Sequence, residues 1–595
     1  MRNAETILSI IRKRGQHGLP VYDAYRLLYQ KDLYIRAYAK LYRNDGAMTK
    51  GSTSETVDGM SLEKIDTIIN ELRYERYRWT PVRRTYISKK NGKLRSLGVP
   101  SWSDKLLQEV IRSILEAYYE PKFSERSHGF RPNRGCHTAL REVMQKGRGT
   151  KWFIEGDICD CYGKIDHTVF LNILKESFQD NRFLRLINTL LKAGYLENWK
   201  VNTTYNGVSQ GLVCGLIFSN IVLDRLDKYI EQELIPAYTC GKRRKENPSY
   251  TRLIIQISQA RKRGDWEYAN VMHKQMQSIP ASDPNDPNFR RLWYVRYSDD
   301  FLLGLAGSKN EAEEIKHKIG EFLNNQLKLE LNKDKTLITN AYYQKAKFLG
   351  YEVHRLRVDN KHDRRGHRCI NGGIGLRIPN KIKEEKCKRY MKNGKPIHLP
   401  ERTINDAYSI VADYQAEYRG VVQYYRMAYN LHTLGQLRYV AEVSLVKTLA
   451  NKYRTTCTKI YRQYSTTIKT DEGERKVILV KRDRNTGKLL VTYFGGISLK
   501  WNKWINPGQE ITYPVWNNRS ELVERLKAQK CELCGSQNKI EAHHIRKLAD
   551  IEKKGKTKSE WQKRMIARKR KTLVVCYDCH RKIHYGKYDG RKLRA

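Results

Sequence analysis

The sequence is poor in several features that mark common protein classes. Of its 595 residues, 12 are cysteine and 15 are proline. Eight of the cysteines are scattered singly, which argues against a disulfide framework and favours a reducing compartment. No run of about 18 apolar residues occurs, so the sequence predicts no membrane span. The first residues lack the apolar core of a secretory signal, and we expect the protein to act in the compartment where it is made.

Acidic residues are scarce relative to basic ones. Lys and Arg number 113 against 64 Asp and Glu, which gives a formal net charge of +49. Such an excess favours binding to RNA or DNA, because a basic protein releases counterions from a polyphosphate. The hydrophobic share of 40% and the 39 tyrosines are sufficient for packed cores. The length suits about three to five domains.

The most informative local pattern is an adjacent pair of carboxylates at Asp299 and Asp300. Apolar strand-forming residues flank the pair from Val295 to Gly304, which predicts a strand, a tight turn and a second strand. Burying two carboxylates costs several kcal/mol unless a cation compensates them. The pattern therefore fits either a divalent-metal site for phosphoryl transfer or an ordinary solvated turn.

A third carboxylate, Asp157, also leaves an apolar strand, and the aromatic Tyr162 follows five residues later. Together with Asp299 and Asp300, Asp157 could hold two Mg²⁺ ions that activate a 3′-hydroxyl and stabilise leaving pyrophosphate. This combination is the arrangement of a polymerase palm.

Further polar segments fit the same chemistry. The loop with Gln210 and Gly211 lies between the carboxylates in sequence, where a polymerase contacts template and incoming nucleotide. Lys89 and Arg95 flank Asn91-Gly92, a hairpin signal, and are suited to bind a triphosphate.

Ordered blocks along nearly the whole chain resemble those of group II intron reverse transcriptases. The blocks are Val82–Pro100, Ser127–Arg134, Asp157, Gln210-Gly211, Tyr297–Asp300, Phe348–Tyr351 and the maturase-like Glu417–Tyr425. The resemblance implies that Asp157, Asp299 and Asp300 are the catalytic Mg²⁺ ligands. It also implies an RNA-splicing maturase with RNA-directed DNA polymerase activity, whose partners are intron RNA, target DNA and deoxynucleoside triphosphates.

The resemblance also assigns roles around the carboxylates. Tyr162 would exclude a ribose 2′-hydroxyl, and Gln210 and Gly211 would face the template–nucleotide pair. Arg95 would bind the triphosphate. Lys335 would protonate the leaving pyrophosphate, although a solvated lysine at a helix end is the alternative.

One block departs from the family pattern. The usual Thr-Pro-Gln-Gly-Gly appears as Val208-Ser-Gln-Gly-Leu212, which places a bulky residue where backbone is expected to approach the template. A second interpretation is therefore an RNA-binding splicing factor with a degenerate, inactive reverse transcriptase.

The C-terminal tail carries the strongest metal signal. Two CxxC pairs, Cys531/Cys534 and Cys576/Cys579, have the spacing of a structural tetrahedral Cys₄ zinc site. A tail of this size has little core of its own, so such a zinc would stabilise its fold.

Histidines accompany these cysteines in a pattern that resembles an HNH (ββα-metal) endonuclease. His543 precedes His544, and His580 and His584 are four residues apart, so on a helix they share one face. The resemblance implies that His544 activates water and that His543, His580 and His584 hold a divalent metal. The middle Asn of the pattern is absent, with Thr572 near its place, and a zinc-ribbon DNA-binding module is the alternative.

We therefore predict an α+β multidomain protein with right-hand polymerase fingers and palm, an α-helical thumb (the maturase X domain) and a zinc-stabilised ββα-metal HNH module. Family resemblance adds a possible homodimer. An organelle-encoded protein of a chloroplast or mitochondrion is expected, with a bacterial cytoplasm as the alternative. The predicted domains are 1–78 (N-terminal helical extension of the fingers), 79–375 (fingers and palm, with a basic insertion at 240–292), 376–475 (thumb), 476–525 (DNA-binding region) and 526–595 (HNH endonuclease).

Overall fold

A computed structural model describes most of the chain and mixes helices with small sheets, as the sequence predicts. The described residues are 3–88, 92, 94–204, 206–284, 286–358, 361–364, 370–470, 472–483, 489–502, 521–546, 551, 558–568 and 570–585. Lys89 and most of the second half of the predicted DNA-binding region lie outside them. Among the described helices, none is both long and apolar enough to cross a bilayer.

The first half of the chain contains thirteen described helices. They are α1 (Ala4–Gln16), α2 (Ala24–Leu27), α3 (Lys31–Leu41), α4 (Leu62–Arg73), α5 (Trp102–Tyr119), α6 (Cys136–Lys146), α7 (Cys161–Lys164), α8 (His167–Ser177), α9 (Asn181–Lys192), α10 (Gly215–Tyr229), α11 (Ile235–Ala237), α12 (Pro248–Lys262) and α13 (Trp266–Ser278).

The second half adds nine helices within the described ranges. They are α14 (Lys309–Phe322), α15 (Asn380–Lys388), α16 (Pro400–Thr403), α17 (Ala407–Tyr424), α18 (Gly435–Lys452), α19 (Cys457–Tyr464), α20 (Glu521–Lys527), α21 (Glu560–Ala567) and α22 (Tyr577–His584).

Eighteen strands are described. They are β1 (Val82–Ser88), β2 (Leu94–Val99), β3 (Trp152–Asp157), β4 (Tyr195–Glu197), β5 (Lys200–Asn202), β6 (Arg291–Tyr297), β7 (Asp300–Ala306), β8 (Leu337–Asn340), β9 (Ala346–Phe348), β10 (Tyr351–Arg355), β11 (Ile374–Arg377), β12 (Met391–Lys392), β13 (Lys395–Pro396), β14 (Ser465–Thr470), β15 (Gly473–Asp483), β16 (Leu489–Gly495), β17 (Ile540–His544) and β18 (Thr572–Cys576).

A four-stranded antiparallel sheet in the order β6-β7-β3-β8, called here the central sheet, separates two hydrophobic cores. Successive side chains of β7 alternate between the cores: Phe301 and Leu303 belong to one, Leu302 to the other. Because both faces are covered, β7 reads as a nearly continuous apolar run rather than as an alternating one.

The two cores involve different parts of the chain. The first contains the N-terminal helices, α5 and α10, and it extends into the C-terminal residues Leu522, Leu526 and Leu573. The second joins the opposite face of the central sheet to α17, α18 and the strands β15 and β16. The basic insertion contains the packed helices α12 and α13.

The C-terminal residues 521–585, called here the C-terminal module, contain the hairpin β17–β18 followed by α22. The helix α21 lies between the two strands in the chain, and the ββα-metal identity of the module stays a prediction. The module packs against the N-terminal helices, since both contribute to the first core. A single antiparallel bridge between Met60 and Ala542 adds a backbone connection.

Candidate active sites

Three carboxylates meet at the ends of the two inner strands of the central sheet, as the sequence predicts. This end of the sheet is called here the carboxylate edge. Strand β3 ends on Asp157 and strand β7 begins on Asp300, and these two residues are direct antiparallel partners. Directly opposed residues of antiparallel strands have side chains about 5 Å apart. Asp299 lies in the turn that joins β6 to β7. The fold thus brings together residues that are far apart in the chain.

The local electrostatics favour a cation at this edge. Burial and then the charges of Asp299 and Asp157 raise the pKa of Asp300 to about 7. Lys335 supplies one compensating charge, with its Nζ 2.8 Å from Asp157 Oδ2. Asn332 Nδ2 donates to the same oxygen at 2.9 Å. Carboxylate oxygens of this kind fit Mg²⁺, which prefers oxygen ligands.

A buried ion pair beneath the turn fixes its shape. Arg296 is fully buried, and its guanidinium donates to both carboxylate oxygens of Asp227 at 2.7 and 2.6 Å. The same guanidinium donates to the carbonyl of Ser298 at 2.9 Å. Ser298 has a positive φ of 59°, a conformation uncommon for a residue other than glycine. Arg296 therefore holds the strained residue that precedes the two aspartates.

Sequence reasoning missed this ion pair. An arginine inside an otherwise apolar, buried strand was a usable signal, since a buried charge needs a partner. Its partner Asp227 lies on α10 and had no recognisable pattern.

A close packing contact also shapes the turn. Gly129 lies so near it that an added Cβ would stand 2.4 Å from the Ser298 nitrogen. Asn220 holds the Gly129 carbonyl with a hydrogen bond of 3.0 Å. The Ser127–Arg134 block thus reaches the carboxylates through backbone packing.

Tyr162 lies beside the same turn, with its hydroxyl 3.0 Å from Ser298 Oγ. Its carbonyl accepts a hydrogen bond from the Val208 nitrogen at 2.6 Å. Tyr162 thus contacts the turn that carries Asp299. It also contacts the loop at Val208–Leu212, called here the template loop.

The template loop packs against β2. The Gln210 carbonyl accepts from the Gly98 nitrogen at 2.7 Å. Gly211 has φ +116°, and an added Cβ would lie 2.4 Å from the Gly98 carbonyl oxygen, so only glycine fits there. A cleft of about 190 Å³ beside this contact is lined by residues that include Ser209 and Gln210. Leu212 is 7% exposed and is not among its lining residues, so its bulk is accommodated in the core.

The predicted triphosphate-binding residues are only partly described. Arg95 is exposed on β2, where it pairs with Ile87 across the β1–β2 hairpin. Lys89 lies outside the described residues. The antiparallel β1–β2 pairing agrees with the hairpin signal at Asn91-Gly92.

The four predicted zinc ligands form one cluster. The sulfurs of Cys531, Cys534, Cys576 and Cys579 all lie within 4.8 Å of one another. Ligands of a tetrahedral zinc–thiolate site are about 3.8 Å apart, and Cys534 Sγ and Cys576 Sγ are separated by 3.6 Å. A hydrogen bond from Cys579 lowers the pKa of the Cys531 thiol, which favours the thiolate that binds metal.

The three predicted nuclease histidines meet beside this cluster. His543 lies on β17, and His580 and His584 share one face of α22 with their Nε2 atoms 3.1 Å apart. Both ring nitrogens of His543 are buried, and apart from the ion-pair contact of Nδ1 with Asp58 at 3.3 Å neither has a partner, so a ring lone pair is available to a metal at this point. Glu541 Oε2 lies 2.6 Å from His580 Nδ1 and orients that ring.

A fourth residue, Asp58, joins the histidines from the N-terminal part of the chain. Its carboxylate and the three imidazoles have one potential ligand atom each within 4.8 Å of one another. Burial would raise the pKa of Asp58, but hydrogen bonds with His543 and His580 hold it well below its usual range. Burial alone would lower the pKa of His580, whereas Asp58 and Glu541 raise it to about 9. No sequence pattern marks Asp58, because 486 positions separate it from His544.

His544 occupies a buried position. Its Nε2 lies 2.9 Å from the Tyr38 hydroxyl, and burial lowers its pKa to about 3. A neutral imidazole is the form that a general base requires. In this arrangement, however, one of its nitrogens already contacts Tyr38.

The chain matches three family models. Residues 87–256 match reverse transcriptase (RNA-dependent DNA polymerase), residues 377–495 match type II intron maturase, and residues 531–580 match AI2M/AI1M-like HNH endonuclease. The order of the three models along the chain is the order that the sequence blocks predict.

Several relatives match over most of this chain. The group II intron-encoded protein LtrA of Lactococcus lactis subsp. cremoris is 37% identical, over 98% of this chain and 99% of its own length. A COX1/OXI3 intron 1 protein of Saccharomyces cerevisiae is 32% identical, over 94% of this chain and 68% of its own. A 91 kDa protein in a cob intron of Schizosaccharomyces pombe is 31% identical, over 94% and 69% respectively.

Proposed function

The chain belongs to the family of group II intron-encoded proteins, and from that premise we propose how its parts divide the work. The protein is an intron maturase with reverse transcriptase and HNH endonuclease domains, and it serves the splicing and homing of a group II intron. In homing, intron RNA enters one DNA strand, the endonuclease cuts the other, and the new 3′ end primes cDNA synthesis.

Polymerisation takes place at the three carboxylates. Asp157, Asp299 and Asp300 would hold Mg²⁺, which when bound activates a 3′-hydroxyl and stabilises the leaving pyrophosphate. Lys335, whose Nζ lies 2.8 Å from Asp157 Oδ2, would give a proton to that pyrophosphate. The convergence of the three carboxylates at one sheet edge is the observation that carries this proposal.

Substrate binding involves the surroundings of this edge. Tyr162, held against the turn, would exclude a ribose 2′-hydroxyl, and Gln210 and Gly211 would contact the template–nucleotide pair. Arg95 and Lys89 would bind the deoxynucleoside triphosphate. The central sheet would be the palm, the β1–β2 region the fingers, and α15–α19 the thumb that binds intron RNA.

DNA cleavage takes place in the C-terminal module. The four cysteines would bind a structural Zn²⁺. His543, His580 and His584 would hold a divalent metal, and His544 would take a proton from the attacking water. Residues 476–525 would contact target DNA.

The relatives support two possible settings for the protein. They include a bacterial protein and proteins of yeast introns, which is compatible with a bacterial or an organelle origin. We propose intron RNA and target DNA as partners and a homodimer as the working assembly.

Primer extension on an RNA template tests the polymerase assignment. We expect Asp299→Ala to reduce cDNA synthesis by at least a factor of about 10³, because a metal ligand is lost from a site that acts by electrostatic stabilisation. Intron splicing assayed with the same preparation should persist, since there the protein supplies only binding surface.

The matched control is Asp334→Ala, which removes an exposed carboxylate next to Lys335 and should leave extension within about two-fold of wild type. If wild-type protein extends no primer, the polymerase assignment fails and the inactive splicing factor is correct. If Asp299→Ala extends normally, the ligand assignment fails.

A further inference from the structure

The carboxylate of Asp58 is inserted among the three nuclease histidines. Its Oδ2 lies 2.7 Å from His584 Nε2, and its Oδ1 lies 3.3 Å from both His580 Nε2 and His543 Nδ1. Ligands around a tetrahedral ion with bonds of about 2.1 Å are about 3.4 Å apart. Asp58 Oδ1 therefore lies at the separation expected of a fellow ligand of His543 and His580, whereas its Oδ2 lies closer to His584 than two ligands of one ion would.

Backbone pairing holds Asp58 in this position. The Gly59 nitrogen donates to the Ala542 carbonyl at 3.1 Å, and the Ala542 nitrogen donates to the Met60 carbonyl at 2.8 Å. The His544 nitrogen donates directly to Asp58 Oδ1 at 2.7 Å. Residues 58–60 thus pair with β17 through an isolated antiparallel bridge, and these hydrogen bonds place the carboxylate in the site.

A second part of the N-terminal region covers the predicted base. The ring of Tyr38 packs edge-on against His544 at a centroid distance of 6.2 Å, and Tyr42 packs on the same imidazole at 6.1 Å. His544 is 5% exposed as a result. His544 still lines a cleft of about 620 Å³ together with Tyr42 and Lys571, so the two tyrosines narrow the approach of a phosphodiester to this imidazole.

The number of protein ligands matters for the chemistry. A catalytic site for a four-coordinate metal such as zinc keeps three protein ligands and leaves one position for water or substrate, whereas four protein ligands make a closed site. Three histidines and Asp58 together make four. The docked module accordingly has the ligand set of a closed site.

We propose that Asp58 is a fourth protein ligand of the nuclease metal and that it occupies the position which a DNA phosphate must take, so that the docked module does not cut. This inference rests on the proposed nuclease function. Cleavage requires residues 58–60 to separate from β17, which also withdraws Tyr38 and Tyr42 from His544. The endonuclease is therefore held inactive by the N-terminal region of the same chain, through Tyr38, Tyr42 and residues 58–60.

Cobalt binding by the full-length protein, with zinc already in the cysteine site, tests the ligand. Four-coordinate Co²⁺ absorbs visible light far more strongly than the six-coordinate ion expected at the palm carboxylates. We expect Asp58→Asn to weaken Co²⁺ binding at the histidines by about ten-fold or more, because a charged ligand is replaced by a neutral amide of the same shape. Asp66→Asn is the matched control, since Asp66 pairs with Lys31 on the N-terminal surface.

Nicking of a supercoiled plasmid that carries the intron-insertion site tests the inhibition. With Co²⁺ saturating the histidine site, we expect Asp58→Asn to nick at least about ten-fold faster than wild type and than Asp66→Asn. Adding His544→Ala to Asp58→Asn should abolish the gain, which assigns the cleavage to this site.

The combined readout separates the possibilities. Weaker Co²⁺ binding with faster nicking supports the proposal. Weaker binding with slower nicking makes Asp58 a working catalytic ligand and overturns the inhibition, and unchanged nicking overturns it as well. Unchanged Co²⁺ binding overturns the ligand assignment. If no variant nicks under any condition, the proposed nuclease function fails together with this inference, whereas a wild type that nicks as fast as Asp58→Asn refutes this inference alone.

Discussion

At the scale of single residues, Asp300 shows that ionising closely spaced carboxyls at the polymerase site costs free energy. Burial and two neighbouring carboxylates raise its pKa from 3.8 to about 7, so the metal-free site is destabilised when Asp300 is ionised. Asp300 itself is exposed, so screening by solvent reduces this cost. The same repulsion that weakens the fold without metal attracts the divalent ions that catalysis needs.

Asp300→Asn should therefore stabilise the metal-free protein while abolishing cDNA synthesis. In the unfolded chain the carboxyl ionises near pH 4, and in the folded chain near pH 7. The cost is absent below about pH 4, grows as the pH rises towards 7 and is constant above. Thermal unfolding in a chelator should show a higher Tm for Asp300→Asn at pH 8 and a much smaller difference at pH 5.

The exposed Asp334→Asn serves as control and should unfold like wild type at both pH values. Saturating Mg²⁺ should narrow the gap at pH 8, because it stabilises only the wild-type carboxylate set. Equal Tm values at pH 8 without metal would contradict the electrostatic account.

At the scale of elements, the β6–β7 hairpin depends on an ion pair outside it. Arg296 of β6 is buried against Asp227 of α10, and it also binds the carbonyl of Ser298 in the turn. The Tyr294 hydroxyl donates to Asp227 as well, at 2.7 Å. The orientation of the turn that carries Asp299 and Asp300 is thus set by a helix as well as by the turn sequence.

Asp227→Asn should cost about 3–5 kcal/mol of unfolding free energy, because it leaves a buried guanidinium without a counter-charge. It should also lower the kcat of primer extension more than it raises KM, since the turn and not the nucleotide contacts is disturbed. Denaturant unfolding and steady-state kinetics measure the two effects.

Asp224→Asn, one turn earlier on α10, is the comparison. Asp224 pairs with Lys228, whose side chain is 35% exposed, so its loss is less costly. An Asp227→Asn protein as stable as Asp224→Asn would show that the buried pair contributes nothing to the hairpin.

At the scale of the whole molecule, the C-terminal module packs against the N-terminal helices and carries the four-cysteine cluster. A zinc ion held by the four sulfurs would cross-link β18 and α22 to the CxxC turn before β17. Residues such as Leu526 and Leu573 share a core with α3. Metal binding and docking therefore support each other.

Cys576→Ser should remove most of the zinc bound per chain and make residues 521–585 the first site of tryptic cleavage, because one thiolate ligand is lost. Primer extension should remain within a few-fold of wild type, since the central sheet has its own core. Metal content by mass spectrometry and limited proteolysis provide the measurements.

Cys240→Ser changes an exposed thiol in the basic insertion and should alter neither measurement. Full zinc content in Cys576→Ser would exclude a Cys₄ site.

The sequence was informative where chemistry coincides with a local pattern. Asp157, Asp299 and Asp300 each adjoin an apolar strand, and the cysteine pairs have metal-ligand spacing, so their convergence followed from strand pairing and ligand chemistry. The roles of Tyr162, Gln210 and Lys335 stay predictions. Asp58 and the Arg296–Asp227 pair were not predictable, because a long-range contact between single polar residues leaves no periodicity in the chain.

The bridge between Met60 and Ala542 has a consequence for how this protein evolves. The N-terminal region and the C-terminal module bury each other. Loss of the endonuclease during evolution would therefore expose Tyr38 and Tyr42 and leave the backbone of residues 58–60 unpaired. In descendants without the module, we expect polar substitutions on the surface formed by Tyr38, Tyr42 and residues 58–60, or another protein bound to that surface. Loss of the C-terminal module should therefore be accompanied by compensating substitutions in the first 60 residues.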